Sequence, residues 1–206
     1  MHHPVYDVTV AIPTIPTRKG KLRKAVSSAM AQSYPVAAVS IAVDRDGKGS
    51  AHTRNRALDA VQTEWVLFLD DDDQLLPDAL NHLIYGQAHS QADVVYGLPR
   101  IVDAQGKIRP RFFEAGGPEV FDPHLLMQKS YIPVVSLVRT DLAQEAGGFV
   151  FSADGNGSYD DWGFYKNLLC HGAEFHHILQ ETFIWNIDGG NTSGKPWQGD
   201  APWKDR

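Results

Sequence analysis

Four consecutive carboxylates, Asp70, Asp71, Asp72 and Asp73, follow directly on the apolar run 65–69. Like charges so closely spaced repel one another, and a divalent cation with hard-oxygen preference is the simplest relief. The run 65–69 is short and apolar enough for a buried strand, and in a parallel sheet the acids would stand at its carboxyl end, where open α/β sheets gather ligands. A cation held there by one or two carboxylates keeps positions open for diphosphate oxygens. The alternative is a solvated acidic loop in which Asp73 complements the N-terminus of the helix after Pro77.

Few other side chains offer comparable chemistry. His176 and His177 are adjacent on an apolar run, so as strand residues they point to opposite faces and do not form one chelate. Cys170 is the single cysteine, which excludes an intrachain disulfide, and its place beside Leu168 and Leu169 predicts a buried, inert thiol.

The elements that must position the acids alternate in the first half of the chain. Runs 7–12, 39–43 and 65–69 read as buried strands. Between them Leu22, Ala25, Val26, Ala29 and Met30 recur on one helical face, and Leu80, Leu83 and Ile84 do so after Pro77. Strand, helix, strand in this order implies parallel pairing with crossover connections. Beyond Asp93 the pattern is mixed. A strand is expected over 93–98, a hairpin over 100–110 turning at Asp103 to Gly106, and strands over 133–138, 173–178 and 183–187. Helices over 140–146 and 159–170 are closed by Gly147 and Gly172.

The 206 residues suffice for one domain over 1–206. A net charge of -6 disfavours general binding to nucleic acid. No apolar run is long enough to span a bilayer and no signal segment opens the chain, so no transmembrane segment and a cytoplasmic location are expected.

The run Asp70-Asp71-Asp72-Asp73 followed by Pro77 resembles the D-x-D-D-x-x-x-P form of the DXD motif in family 2 glycosyltransferases of the GT-A fold. Residues 8–14 (VTVAIPT) resemble that family's first strand and nucleotide loop. Ser33-Tyr34-Pro35, Val43-Asp44 and Arg54-Asn55-Arg56-Ala57-Leu58 stand in the family's order, and Asp160-Asp161-Trp162 resembles its E-D-W or D-D-W motif.

The resemblance implies an α/β GT-A domain with a mostly parallel Rossmann-like sheet, flanking helices and a small antiparallel element. Residues 1–98 would form the nucleotide-sugar half, 99–188 the acceptor half and 189–206 a C-terminal tail. Pro13 and Thr14 would line the nucleotide. Asp44 would accept the imide N–H of a base, unless it only forms a turn with Arg45, Asp46 and Gly47. Asp70 would lie near the ribose or donor sugar, with Asp71 and Asp73 as supporting acids, and Asp72 would bind Mn²⁺ or Mg²⁺. Arg54 would neutralise phosphate or clamp the acids, or else be a surface charge.

The same resemblance makes Asp161 the catalytic base and Asp160 an acceptor contact, with inversion at the anomeric carbon. Ser158 and Asp161 also have capping-box spacing, and in that case Asp160 becomes the competing base. Trp162 either stacks on a sugar or packs in the core. Asp188, before Gly189-Gly190-Asn191-Thr192-Ser193, occupies a place where the family often has histidine, and it or a histidine would complete the metal site. The implied activity is transfer from a nucleotide-diphosphate sugar, with UDP preferred, to a glycan, lipid carrier, small molecule or protein. The segment 107–131 would shape acceptor choice. A nucleotidyltransferase, drawing on Arg18 to Lys21, is the rival enzyme; a catalytically silent nucleotide-sugar binder and a two-carboxylate hydrolase are the others.

Overall fold

The computed structural model describes residues 6–111, 115–150 and 160–187. Strand β1 (Val8–Thr14) is apolar and almost wholly buried, and it pairs in parallel with β2 (Ala38–Val43) on one side and β3 (Trp65–Phe68) on the other. The connections are helical, by α1 (Lys19–Met30) between β1 and β2 and by α2 (Ser50–Asp59) between β2 and β3. The expected β-α-β-α-β rhythm is therefore present, with Asp70 just past the end of β3.

Past β3 come the short strand β4 (Gln74–Leu75), helix α3 (Ala79–Ser90), the long strand β5 (Val94–Asp103) and its hairpin partner β6 (Ile108–Arg109). Helix α4 (Pro123–Gln128), strand β7 (Ser136–Arg139), helices α5 (Thr140–Glu145) and α6 (Asp160–Cys170), and strand β8 (Phe175–Ile187) complete the order. The strands join one sheet in the order β2-β1-β3-β7-β5-β8-β4, with β6 beside β5. Its first part is wholly parallel; β7 runs antiparallel to both neighbours, β5 and β8 pair in parallel, and β4 returns antiparallel on β8. This is the expected α/β architecture with a small antiparallel element.

Several expectations need correction. The run 39–43 is not a buried strand: β2 is an edge strand in which only Ala42 is fully buried. Met30 is 64% exposed although Ala25 and Ala29 on the same helix are buried, because one residue past Ala29 the helix has turned by about 100°, away from the buried side. The strand expected over 93–98 runs on to Asp103, and the two expected over 173–178 and 183–187 are one strand, β8, paired with β5 along most of its length through a register irregularity near Leu98. Cys170 is exposed in the final turn of α6, not buried.

The core beneath the parallel strands is aromatic. Phe68 meets Phe149 and Phe164 edge-on at 4.8 and 5.6 Å, and those two rings stack at 4.2 Å, a geometry that aromatic quadrupoles favour. This cluster fixes α6 directly behind the end of β3. Among the described residues no helix is long and apolar enough to cross a membrane.

Candidate active site

Because β1, β2 and β3 are parallel and in register, their carboxyl ends lie side by side, with Asp44 N donating to Thr14 O (2.7 Å) and Leu69 N to Ala11 O (3.0 Å). A cleft of about 240 Å³ opens at this edge, lined by Pro13, Thr14, Arg18, Asp44, Ser50, Arg54, Trp185 and the four acids 70–73. Loops at this end of a parallel sheet are where α/β folds bind ligands.

The four acids divide by orientation. Asp71 turns inward, accepting Thr14 Oγ1 at 2.5 Å and Arg18 Nη1 at 2.9 Å, which ties the acidic loop to the end of β1. Asp70, Asp72 and Asp73 instead offer carboxylate oxygens that all lie within 4.8 Å of one another. Burial, followed by the charge of Asp70, pushes Asp72 up to about 6 and Asp73 well above the usual carboxylate range. An all-oxygen donor set of this kind suits a hard cation such as Mg²⁺ or Mn²⁺, which would relieve the repulsion. The loop is also held from the far end of the sheet: Asn186 N donates to Asp73 Oδ1 (3.0 Å) and Asn186 Nδ2 to Asp72 O (2.7 Å).

Arg54, on the sheet-facing side of α2, is 7% exposed and so is not a surface charge. Its Nη2 donates to both oxygens of Asp70 (2.7 and 2.9 Å) and its Nη1 to Asp160 Oδ2 (2.8 Å). Burial works against its charge, but Asp70 and Asp160 outweigh burial and hold its pKa above the ordinary value. The guanidinium thus joins the acidic loop to the first turn of α6.

Asp160 engages both of its oxygens. Its Oδ2 also accepts Ser50 Oγ at 2.6 Å, and its Oδ1 accepts Asp161 N at 2.9 Å. Asp161 is half-buried and uses Oδ1 for Trp162 N (2.7 Å); among the described residues its second oxygen accepts no hydrogen bond. Burial pushes Asp161 up to about 6, with Arg54 pulling it down and Asp160 raising it. The capping partner Ser158 lies outside the described residues, as does Asp188. Trp162 donates from Nε1 to Leu126 O (2.6 Å), packs half-buried against the core and carries Lys166 Nζ 3.8 Å from its ring centroid. Asp44 accepts Lys48 N (3.0 Å) and Gly49 N (2.9 Å). Burial raises its pKa, and these amides together with those of Asp46 and Gly47 overcome that and lower it. The turn is real, and its carboxylate still borders the cleft.

The sequence profile of Glycosyl transferase family 2 matches residues 24–134, more than half of the chain. The chain belongs to that family. Among curated proteins no sequence matches significantly. Among solved structures, S. aureus TarS 1-349 in complex with UDP is similar at a TM-score of 0.66 with 18% identity, covering 87% of this chain and 60% of that one. TarS 1-349 in complex with UDP-GlcNAc gives 0.64 with 15% identity, over 87% and 58%. The longer TarS chain gives 0.64 with 18% identity, over 87% and 36%. The family 2 chain therefore spans about three fifths or less of the structures it matches, and at these identities the likeness establishes the GT-A fold alone.

In this family 2 domain one cleft gathers Pro13, Thr14, Asp44, Arg54 and Asp70 to Asp73, and Arg54 links Asp160 to it. Sequence reasoning gave no role in that reading to Arg18, Ser50, Trp185 and Asn186. Arg18 carries a signal, a cation four residues past the first strand, which only the rival nucleotidyltransferase reading uses. The partners of Ser50 and Asn186 are 110 and 113 residues away in sequence, beyond any local pattern.

Proposed function

We propose that this chain is a metal-dependent, inverting glycosyltransferase that uses a UDP-sugar, with Asp161 as the base. The observation that carries the reading is the unequal state of the paired acids. Asp160 spends both oxygens on Ser50, Arg54 and the Asp161 amide, whereas Asp161 has, among the described residues, one oxygen that accepts no hydrogen bond, and it is shifted to about 6. A base near the operating pH, beside an acid paired with arginine, fits abstraction of the acceptor's proton. Asp160 then holds Asp161 in place rather than contacting the acceptor.

Asp70, Asp72 and Asp73 would hold Mn²⁺ or Mg²⁺, with Asp188 a further oxygen from outside the described residues. The ion would supply charge stabilisation to the departing diphosphate. Attack by the deprotonated acceptor from the face opposite the diphosphate gives inversion at the anomeric carbon. Thr14 and Pro13 border the nucleotide side of the cleft, and Asp44 keeps lone pairs for a uracil imide N–H. UDP is preferred because the GT-A structures this chain resembles hold UDP and UDP-GlcNAc.

Calorimetric titration with UDP, GDP, dTDP and CDP, each with Mn²⁺ and with chelator, tests the reading. UDP is expected to bind in the presence of Mn²⁺ and to lose most of its affinity to chelator. Preference for another nucleotide overturns the donor assignment, and no binding by any of the four overturns the nucleotide-sugar reading.

A further inference from the structure

Two cations already stand on the acids that a divalent ion would occupy. Arg18 Nη1 lies 2.9 Å from Asp71 Oδ1 and 3.3 Å from Asp72 Oδ2, and Lys21 Nζ lies 3.8 Å from that same Asp72 oxygen. Both come from the turn and first helical residues immediately after β1. Their side chains are 32% and 34% exposed, while that of Asp72 is 9% exposed. The acid is fixed and the two cations are long, solvent-reaching side chains. A guanidinium and an ammonium sharing one carboxylate oxygen oppose a further cation on it unless they move away. Ion pairs whose cations stay in contact with water exchange partners more readily than fully buried pairs do. Arg18 also lines the cleft, where a bound diphosphate would offer a planar guanidinium a new, bidentate partner.

We propose that Arg18 and Lys21 are built-in counter-ions of the acidic loop, which exchange with the divalent cation and, once displaced, bind the donor's diphosphate. The exchange rests on the metal reading of Asp70, Asp72 and Asp73. It gives one substitution two effects of opposite sign. Arg18→Gln tightens Mn²⁺ binding without nucleotide by about threefold or more and weakens UDP binding at saturating Mn²⁺ by about tenfold. Lys21→Gln, which leaves the bonds of Asp71 to Thr14 and Arg18 in place, tightens Mn²⁺ binding in the same direction without disturbing that anchor.

The measurement is titration of Mn²⁺ followed by the electron paramagnetic resonance of the free ion, first alone and then with UDP. Mn²⁺ uptake by the wild-type protein with no gain in either variant overturns the exchange. Unchanged UDP affinity in Arg18→Gln overturns the diphosphate contact. No Mn²⁺ uptake by the wild-type protein or by the variants, with or without UDP, overturns the metal reading on which the exchange stands.

Discussion

Asp161 bears opposite demands. Burial lifts its pKa from 3.8 to about 6, so the folded protein binds that proton more tightly than the unfolded chain. Its ionisation therefore costs stability, and the cost grows as pH rises between about 4 and 6. As the proposed base the residue must be ionised, so transfer at saturating donor and Mn²⁺ should fall about tenfold per unit below pH 6 and level off above it. Asp161→Asn is expected to lose about 10²-fold or more in transfer, to keep donor affinity and to unfold at no lower temperature. Transfer assays and thermal melts on the same preparation check this, and transfer that persists in proportion to folded protein returns Asp161 to a capping role. The four acids were legible because four like charges in a row need a partner. Their division of labour was not, since it depends on which oxygens Thr14, Arg18 and Asn186 reach.

Arg54 works only if α2 is held at the right height, and a neighbouring residue holds it. Asn55 Nδ2 donates to Phe149 O (2.9 Å) and Asn55 Oδ1 accepts Phe149 N (2.7 Å), so a side-chain amide pairs with the backbone just before the stretch leading to α6. Gly148 makes the approach possible: at φ +68°, a Cβ there would lie 2.4 Å from Asn55 Oδ1. Asn55→Ala should cost about 1–3 kcal/mol in urea unfolding and lower transfer more than stability alone explains, because Arg54 loses its register between Asp70 and Asp160. Unchanged unfolding and activity would remove Asn55 from this role. Element existence was readable from apolar periodicity, including the glycine stops after α5 and α6. Element length was less so: β8 reads as two strands because Gln180 and Glu181 interrupt its apolar run, and only its pairing with β5 makes it continuous.

At the scale of the molecule, the site is assembled by parts distant in sequence: β1 with its turn, α2, the loop after β3, α6 and the end of β8. A ligand that bridges them should stiffen the whole. UDP with Mn²⁺ at a hundredfold over its dissociation constant is expected to add about 2.7 kcal/mol of stability, seen as a raised melting temperature that chelator reverses; no shift would mean that the cleft does not bind the pair. The parallel half of the sheet was legible because a helix separates each of its strands from the next at short range. The order of β7, β5 and β8 was not, because it rests on long-range pairing for which alternating hydrophobicity gives no address. That ordering bears on synthesis. Asp73 and the Asn186 amide that steadies it are separated by 113 residues, so at about 5–20 residues per second the ribosome delivers the latch about 6–23 s after the acids. A nascent chain thus presents these acids with Arg18, Lys21 and Arg54, made before them, as their first partners, and those three cations hold the loop until β8 arrives to complete the sheet.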